Sequence, residues 1–570
     1  MKILLAACNA KYIHSNLAVF SLKAYAGEYS RYIALKEYTI NQLKEDILKD
    51  LYLERPDVVC ISCYIWNITF VRELFADLRK ILPDVPFWAG GPEVSFDAEE
   101  FLLQNPAFTG VMVGEGEETF LELVRYYAQG QGSLADIRGI VYRESLAPRG
   151  NASGSLQGGN TGTADEAIHN NGWRENIDLS KVPFVYQDLS DFKNRIIYYE
   201  SSRGCPFSCS YCLSSVDKKL RFRSLDLVKQ ELQFFLDHKV PQVKFVDRTF
   251  NCKHSHAMAI WTYIAEHDNG ITNFHFEISA DLLQEEELEL MRDMRPGLIQ
   301  LEIGVQSTNP ETLKAIRRTM DFGKLEKTVN RIHSFHNIHQ HLDLIAGLPY
   351  EDYESFRCSF NDVYALHPQQ LQLGFLKVLK GSYMKEKEEE YGIIHTEQEP
   401  YEVMGTKWLS FGDILKLKMV ESMVEVYYNS GQFQTTLAYI EPFFGDAFAF
   451  YEALGCFYEE KGYDKVSHSR IRRYEILLEF LKTCQGLSWE KAADQMVYDL
   501  YLRENLKSRP AFGTDQKPYE KPVWEYRRRE KIPKTAHIQV FRDGRAVLFD
   551  YEKRDPLTNN ARAEKIQIGI

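Results

Sequence analysis

Cysteine is scarce in this chain, 10 among 570 residues, and that scarcity excludes the disulfide-dense scaffold of a small secreted protein. No apolar run approaches the roughly 20 residues needed to cross a bilayer. No signal-peptide pattern is read at the N-terminus, so the chain is expected in the cytoplasm with no membrane partner. Positive charge is in deficit, 68 Lys+Arg against 81 Asp+Glu for a formal charge of -13. This argues against a protein that wraps nucleic acid over a broad surface. One short basic run, Arg527, Arg528, Arg529 and Lys531, reads as a solvated face. Apolar side chains are sparse from Leu146 to Asn171, a stretch rich in Gly, Ser, Asn, Ala and Thr whose centre reads as a flexible insertion. The length itself suggests three to four domains.

What is present centres on Arg203-Gly-Cys-Pro-Phe-Ser-Cys-Ser-Tyr-Cys, which sets Cys205, Cys209 and Cys212 at Cys-x-x-x-Cys-x-x-Cys spacing. Three thiolates on a tight loop can hold three irons of a four-iron cluster and leave the fourth open to a ligand. Zinc would use the same residue type but wants a fourth ligand, and the next candidates, Cys252 and His254, lie in a different segment.

The first 140 residues alternate strand and helix patterns in the manner of a doubly wound sheet. Helices are predicted over Asn16 to Glu28, Gln42 to Leu53, Ile68 to Ile81 and Asp97 to Gln104. Strands are predicted over Ile3 to Ala7, Ile33 to Tyr38, Val58 to Ser62, Pro86 to Ala89 and Gly110 to Val113. Ligands of such sheets bind beyond the carboxyl ends of the strands. Ser62 and Tyr64 follow the third strand, Gly90-Gly91-Pro92-Glu93 the fourth, and Gly114-Glu115-Gly116-Glu117 the fifth. The glycines are expected to admit a bulky planar ligand. Cys60, inside an apolar strand, reads as a small hydrophobe. Residues 139 to 145 suggest one further strand, and Asp178 to Phe184 an ordered lead-in.

From Ile196 onward six more strands alternate with helical patterns: Ile196 to Ser201, Gln242 to Val246, Asn273 to Ile278, Ile299 to Val305, His341 to Ala346 and Gln370 to Lys377. Polar residues at their carboxyl ends, Asp247, Ser279, Glu302 and Gln306, are cofactor candidates, while Cys252 and Cys358 are read as packing residues. After about Glu399 the alternation stops. Asp413 to Tyr428 and Ser469 to Thr483 show helical spacing, and Arg542-Asp-Gly-Arg between His537 to Phe541 and Ala546 to Tyr551 signals a hairpin.

The three-cysteine spacing, with Tyr211 just before the third cysteine, resembles the signature of the radical SAM enzymes. Leu344-Ile-Ala-Gly-Leu-Pro-Tyr-Glu and Leu376-Lys-Val-Leu-Lys-Gly-Ser match patterns of the same family, and the N-terminal glycine motifs resemble the cobalamin-binding domains that precede many such cores. The C-terminal part resembles a region of unknown function found in one subgroup.

The resemblance implies an α/β chain: a Rossmann-like, flavodoxin-type cobalamin-binding domain over 1–143, a connector over 144–192, a partial (β/α)6 radical SAM barrel over 193–398, and a mainly helical domain over 399–570. It implies a [4Fe-4S] cluster on Cys205, Cys209 and Cys212. It implies S-adenosylmethionine contacts from Tyr211, Asp247, Ser279, Glu302 and Gln306. Asp247 would accept from the methionine amino group, and Glu302 or Gln306 would bond the ribose. Cobalamin contacts are expected from His14, Ser62, Tyr64, Gly90, Gly91, Pro92, Glu93, Gly114, Glu115, Gly116 and Glu117. Domains that ligate cobalt through histidine carry Asp-x-His-x-x-Gly, whereas Tyr12-Ile13-His14-Ser15-Asn16-Leu17 lacks both the Asp and the Gly. His14 is therefore expected not to coordinate cobalt.

The implied chemistry is methylation of an unactivated carbon, or of phosphorus, in a small-molecule, peptide or lipid substrate. A deoxyadenosyl radical would remove hydrogen and cobalamin would supply the methyl group, with an external electron donor such as flavodoxin or ferredoxin. Radical cyclisation, rearrangement or electron transfer without methyl transfer is the alternative, and a cobalamin- or redox-sensing role a third.

Overall fold

The computed structural model describes residues 1–130, 132–144 and 167–569, so the core of the expected insertion, residues 145–166, lies outside the described residues. The chain forms two compact units. One comprises Met1–His275, Lys377–Glu390 and Ile394–Val403; the other comprises Phe276–Leu376, Tyr391–Ile393 and Met404–Ile570.

The first unit opens with a sheet of β1 (Ile3–Asn9), β2 (Ile33–Thr39), β3 (Val58–Ser62), β4 (Phe87–Gly90), β5 (Gly110–Met112), β6 (Ile140–Arg143) and β7 (Ile168–Asn170). Its order is β2-β1-β3-β4-β5-β6-β7. β1 and β3 are buried along their whole length, which is why they read as unbroken apolar runs rather than alternating ones. The first five strands are parallel; β6 and β7 are antiparallel additions. β7 lies at the far edge of the stretch 146–171, where Ile168 and Asn170 pair with β6.

Helices α1 (Leu17–Tyr25), α2 (Lys44–Leu53), α3 (Ile68–Ile81), α4 (Pro92–Ser95), α5 (Ala98–Gln104) and α6 (Glu117–Gln129) connect the strands. α3 buries Ile68, Val71, Leu74, Phe75 and Leu78, the spacing of one helix face. α1 is shorter than expected, since the Asn16 side chain caps it and residues 27–32 tighten into a 3-10 turn. Each sheet face has its own apolar core, one around Leu4, Phe75, Phe87 and Phe101, the other around Leu5, Trp88 and Phe120.

Next come β8 (Ile197–Tyr199), β9 (Ser202–Arg203), β10 (Arg221–Phe222), α7 (Leu225–Asp237), β11 (Gln242–Phe245), α8 (His254–Glu266) and β12 (Asn273–Ile278). β8, β11 and β12 are parallel neighbours, while β9 and β10 form a small antiparallel ribbon.

In the second unit α9 (Glu285–Arg292), β13 (Ile299–Gln306), α10 (Pro310–Ala315), α11 (Phe322–Phe335), β14 (His339–Ala346), α12 (Tyr353–Tyr364) and β15 (Gln370–Phe375) continue the alternation. The six-stranded sheet reads β15-β14-β13-β12-β11-β8. On β13 buried and half-buried residues alternate without a break. Apolar Leu301, Ile303 and Val305 therefore share one face, and Glu302, Gly304 and Gln306 the other.

The C-terminal part contains helices Phe411–Val424, Gln434–Ile440, Ala447–Lys461, Arg470–Leu481, Trp489–Arg503 and Glu520–Arg529 among the described residues, four more than the spacing revealed. The helix expected through Tyr428 passes at Glu425–Asn429 into a π turn. The expected hairpin, His537–Val540 with Ala546–Arg554, gains a third strand, Ala561–Ile566. Cys358 corrects another expectation: it is exposed, not packed.

Candidate cofactor-binding site

The loop from Gly204 to Leu220 leaves the sheet after β8 and is closed at its neck by the β9–β10 ribbon, where Arg203 stands opposite Arg221. Gly204 has φ +91, and a Cβ there would lie 2.7 Å from the Lys219 carbonyl oxygen, so only glycine lets the two sides of the neck close. Cys205 and Cys209 are buried and Cys212 half-buried. The Cys205 amide donates to the Asp217 carbonyl (3.1 Å), the Cys212 amide to the Cys209 carbonyl (3.2 Å) and the Met384 amide to the Ser210 carbonyl (2.8 Å). Cys205 Sγ lies 3.7 Å from Thr249 Oγ1. Burial raises the Cys205 thiol, and the charges of Cys212 and Cys209 raise it further. Three thiolates on one loop raise one another's charging cost until a cationic centre binds them, and the donor set therefore fits an iron-sulfur cluster.

Asp247, at the end of β11, is 1% exposed. Its Oδ2 accepts from the Ser201 amide (2.9 Å), and its Oδ1 from the hydroxyls of Ser201 (2.7 Å) and Ser202 (2.5 Å). His256 Nε2 lies 3.0 Å from Ser201 Oγ. The carboxylate expected to receive the methionine amino group is buried here and holds the strand that leads into the cysteine loop. Burial pushes it up to about 6 against those donors.

In the second unit, Ser279 Oγ donates to Asp281 (2.7 Å). Gln306 ends β13 at φ +74, and its Oε1 is buried with no hydrogen-bond partner among the described residues. A Cβ on Gly304 would meet Gln306 Nε2 at 2.4 Å, so the glycine makes room for the amide to fold back. An orphaned acceptor of this kind fits a ligand donor such as a ribose hydroxyl. Ligand atoms of Glu302, His341 and Asp343 converge within 4.8 Å of one another on the same sheet face. Tyr211, in the cysteine loop, is half-buried.

At the carboxyl ends of the first sheet, Tyr12 is 64% and Trp66 46% exposed, with Ile13 beside Tyr12 in the chain also exposed. Tyr64 stacks on Trp66, centroids 4.3 Å apart. Exposed aromatic surface at this edge fits a large macrocycle. Ser62 Oγ accepts from the Asn16 amide (3.0 Å), and His14 Nδ1 lies 2.6 Å from the Tyr198 hydroxyl. Desolvation, then Lys11 and Lys244, lower the His14 imidazolium.

The glycine motifs lie against neighbouring parts of the chain. A Cβ on Gly91, at φ +118, would lie 2.4 Å from the Cys63 carbonyl oxygen, and one on Gly116 would lie 3.0 Å from Leu22. The space they leave is filled by this protein's own atoms. Pro92 starts α4, Gly90 ends β4 and Gly114 faces Trp173.

The acidic residues of those motifs are engaged too. Glu93 is buried, with the Tyr401 hydroxyl at 2.7 Å and Lys380 Nζ at 3.4 Å; burial raises its carboxyl. Glu115 and Glu117 face Arg203, and Glu115 also faces Arg221. Sequence reasoning missed Arg203, Arg221, Lys380, Tyr198 and Tyr401. The one local signal was an arginine directly before Gly-Cys.

Comparison with known proteins agrees with this order of parts. Residues 3–124 match the B12 binding domain, residues 199–363 the Radical SAM superfamily, and residues 389–560 a protein family of unknown function, DUF4080. The chain is 25% identical over 375 residues to the cobalamin-dependent radical SAM methyltransferase TokK of Streptomyces tokunonensis, covering 59% of this chain and 50% of that one. It is 28% identical over 286 residues to the hopanoid C-3 methylase of Methylococcus capsulatus, covering 49% and 51%. The chain thus spans about half the length of the curated relatives it matches. Among solved structures it resembles the cobalamin-dependent S-adenosylmethionine radical enzyme OxsB with aqua-cobalamin bound, with a TM-score of 0.60 at 13% identity, covering 88% of this chain and 80% of that one. With B12-binding, radical SAM and DUF4080 domains in succession, the chain is a cobalamin-binding radical SAM protein.

Proposed function

We propose that this protein is a cobalamin-dependent radical SAM methyltransferase that methylates an unactivated carbon, or phosphorus, of a small-molecule, peptide or lipid substrate in the cytoplasm. The observation that carries the reading is the cysteine loop. Three thiols share one short loop closed at its neck by a two-stranded ribbon at the carboxyl end of β8, in a chain whose preceding domain presents exposed aromatic surface at its own strand ends. Cys205, Cys209 and Cys212 would hold a [4Fe-4S] cluster. Ser279, Glu302 and Gln306 would contact S-adenosylmethionine, with Gln306 Oε1 accepting from a hydroxyl. Tyr12, Ile13, Tyr64 and Trp66 would flank cobalamin, with His14 tied to Tyr198 and not coordinating cobalt. When bound, these groups supply one-electron cleavage of S-adenosylmethionine and methyl transfer. The chain's own residues orient the cofactors, exclude water and keep the cluster thiols together. An external donor such as flavodoxin or ferredoxin would supply the electron.

The test is to supply methyl-labelled S-adenosylmethionine to anaerobically reconstituted protein in extracts of its host. Both deoxyadenosine and S-adenosylhomocysteine should form, label should enter a product, and Cys209→Ala should abolish deoxyadenosine. Deoxyadenosine alone, with an unlabelled product, would replace methyl transfer by cyclisation or rearrangement.

A further inference from the structure

The Gly-Glu-Gly-Glu stretch lies between β5 and α6 of the first sheet, and its two carboxylates reach the neck of the cysteine loop. Arg203 and Arg221 are cross-strand partners in the β9–β10 ribbon, a pairing of like charges that opposes closure of the neck unless anions lie between them. Glu115 supplies that anion: its Oε1 lies 3.2 Å from Arg203 Nη1 and 2.7 Å from Arg221 Nη1. Its Oε2 accepts from the Ile177 amide at 2.9 Å. Glu117 Oε1 accepts from Arg203 Nη2 at 2.8 Å, and Glu200 takes the same guanidinium through Nε (2.9 Å) and Nη2 (2.8 Å). Arg221 Nη2 donates to Asp217 Oδ2 at 2.6 Å, and the Asp217 carbonyl in turn receives the Cys205 amide. The Arg203 side chain is 23% exposed and that of Glu117 6%, so the pair is largely screened from water.

We propose that Arg203, Arg221, Glu115 and Glu117 form a clamp that couples the β5–α6 turn, at the carboxyl end of the sheet that would carry cobalamin, to the cluster-binding loop, so that each cofactor binds more tightly when the other is present. This rests on the cofactor assignment above. The planar guanidinium fixes direction as well as distance, so a shift of the Glu115–Glu117 turn is felt at the neck of the cysteine loop and, through Asp217, at the Cys205 amide. Four carboxylates face two guanidiniums here. Loss of either arginine leaves like charges in contact, and the turn and the neck then settle independently. Reciprocity follows from linkage: whatever the cluster does to cobalamin affinity, cobalamin does to cluster affinity.

The experiment titrates hydroxocobalamin anaerobically into the full chain, once with the cluster reconstituted and once after its removal by chelation. The expected result is cobalamin affinity about 5-fold or more higher with the cluster present. In the near-isosteric double variant Glu115→Gln/Glu117→Gln that ratio should fall towards one with iron content retained. Arg203→Lys, which keeps the charge but loses the fork, should fall between. The reduced cluster's electron paramagnetic resonance spectrum should shift on cobalamin addition in the parent protein and not in the double variant. A ratio of one in the parent protein, or an unchanged ratio in the double variant, overturns the clamp. If the parent protein takes up no cobalamin in either state, the cofactor assignment itself falls and the clamp with it, an outcome distinct from binding without coupling. Should Arg203→Lys fail to take up iron, the glutamate variant still decides.

Discussion

Glu351 shows how a residue picked out by a motif can be settled by burial and its neighbours. It closes the Leu344 to Glu351 run, is fully buried, and its Oε1 accepts from the hydroxyls of Ser307 (2.5 Å) and Ser359 (2.9 Å). Burial dominates those donors and pushes the carboxyl up to about 7 from an ordinary 4.5. Because the folded value is raised, the folded state holds a proton that the unfolded chain has released between those limits. Its contribution is full below about pH 4.5 and is lost as pH rises through 7. Lowering pH from 8 to 5.5 should therefore stabilise the second unit at this site by roughly 2 kcal/mol, and Glu351→Gln should remove that part of the slope. Denaturant unfolding of both proteins at the two pH values measures it; equal slopes would refute the assignment. His14 is a second case. With Nδ1 held at the Tyr198 hydroxyl and no Asp or Gly beside it in the loop, bound cobalt(II) should show no nitrogen splitting from the protein. A splitting that vanishes in His14→Ala would make His14 a ligand.

Among the elements, the first five strands and the six of the second sheet were legible because apolar residues run through or alternate along each segment, between helical patterns that repeat in register. β7 was not legible, since three residues, Ile168, His169 and Asn170, carry too little pattern beside a stretch poor in apolar side chains. The strand Ala561–Ile566 was hidden because half of its residues, Arg562, Glu564 and Lys565, are charged and exposed. The clamp was invisible for another reason: Arg203 and Glu117 stand 86 residues apart, and nothing in either segment names the other. The helix Gln434–Ile440 was missed because what fixes its start comes from a distant helix. Asp499 accepts from the amides of Thr435 (3.0 Å) and Thr436 (2.8 Å) and from both hydroxyls (2.7 Å each). These are the orphan donors of a helix N-terminus. Asp499→Ala should leave them buried without an acceptor and cost roughly 2–4 kcal/mol, read as a lower midpoint in urea. A change under about 0.5 kcal/mol, the usual size of a surface substitution, would show that water replaces the carboxylate.

At the scale of the whole molecule, the two cofactor loops differ in what holds them. The cobalamin side stands on a sheet with an apolar core on each face, so its strand ends are positioned by packing that no cysteine of the 205–212 loop supports. The cluster side depends on a loop without regular structure over residues 204–212, fixed by the ribbon at its neck, the Asp217 carbonyl and the thiols themselves. Removing the thiols should therefore abolish one cofactor and spare the other. In the variant with Cys205, Cys209 and Cys212 all replaced by alanine, anaerobic reconstitution should give no iron or sulfide above background. The variant should still take up about one cobalamin per chain at saturation, with the weaker affinity of the cluster-free parent protein. Iron and sulfide retained at parental levels would remove the cluster assignment. Loss of cobalamin uptake at saturation, with the first sheet's circular dichroism intact, would mean that cobalamin is held chiefly by the cysteine loop and not by the strand ends.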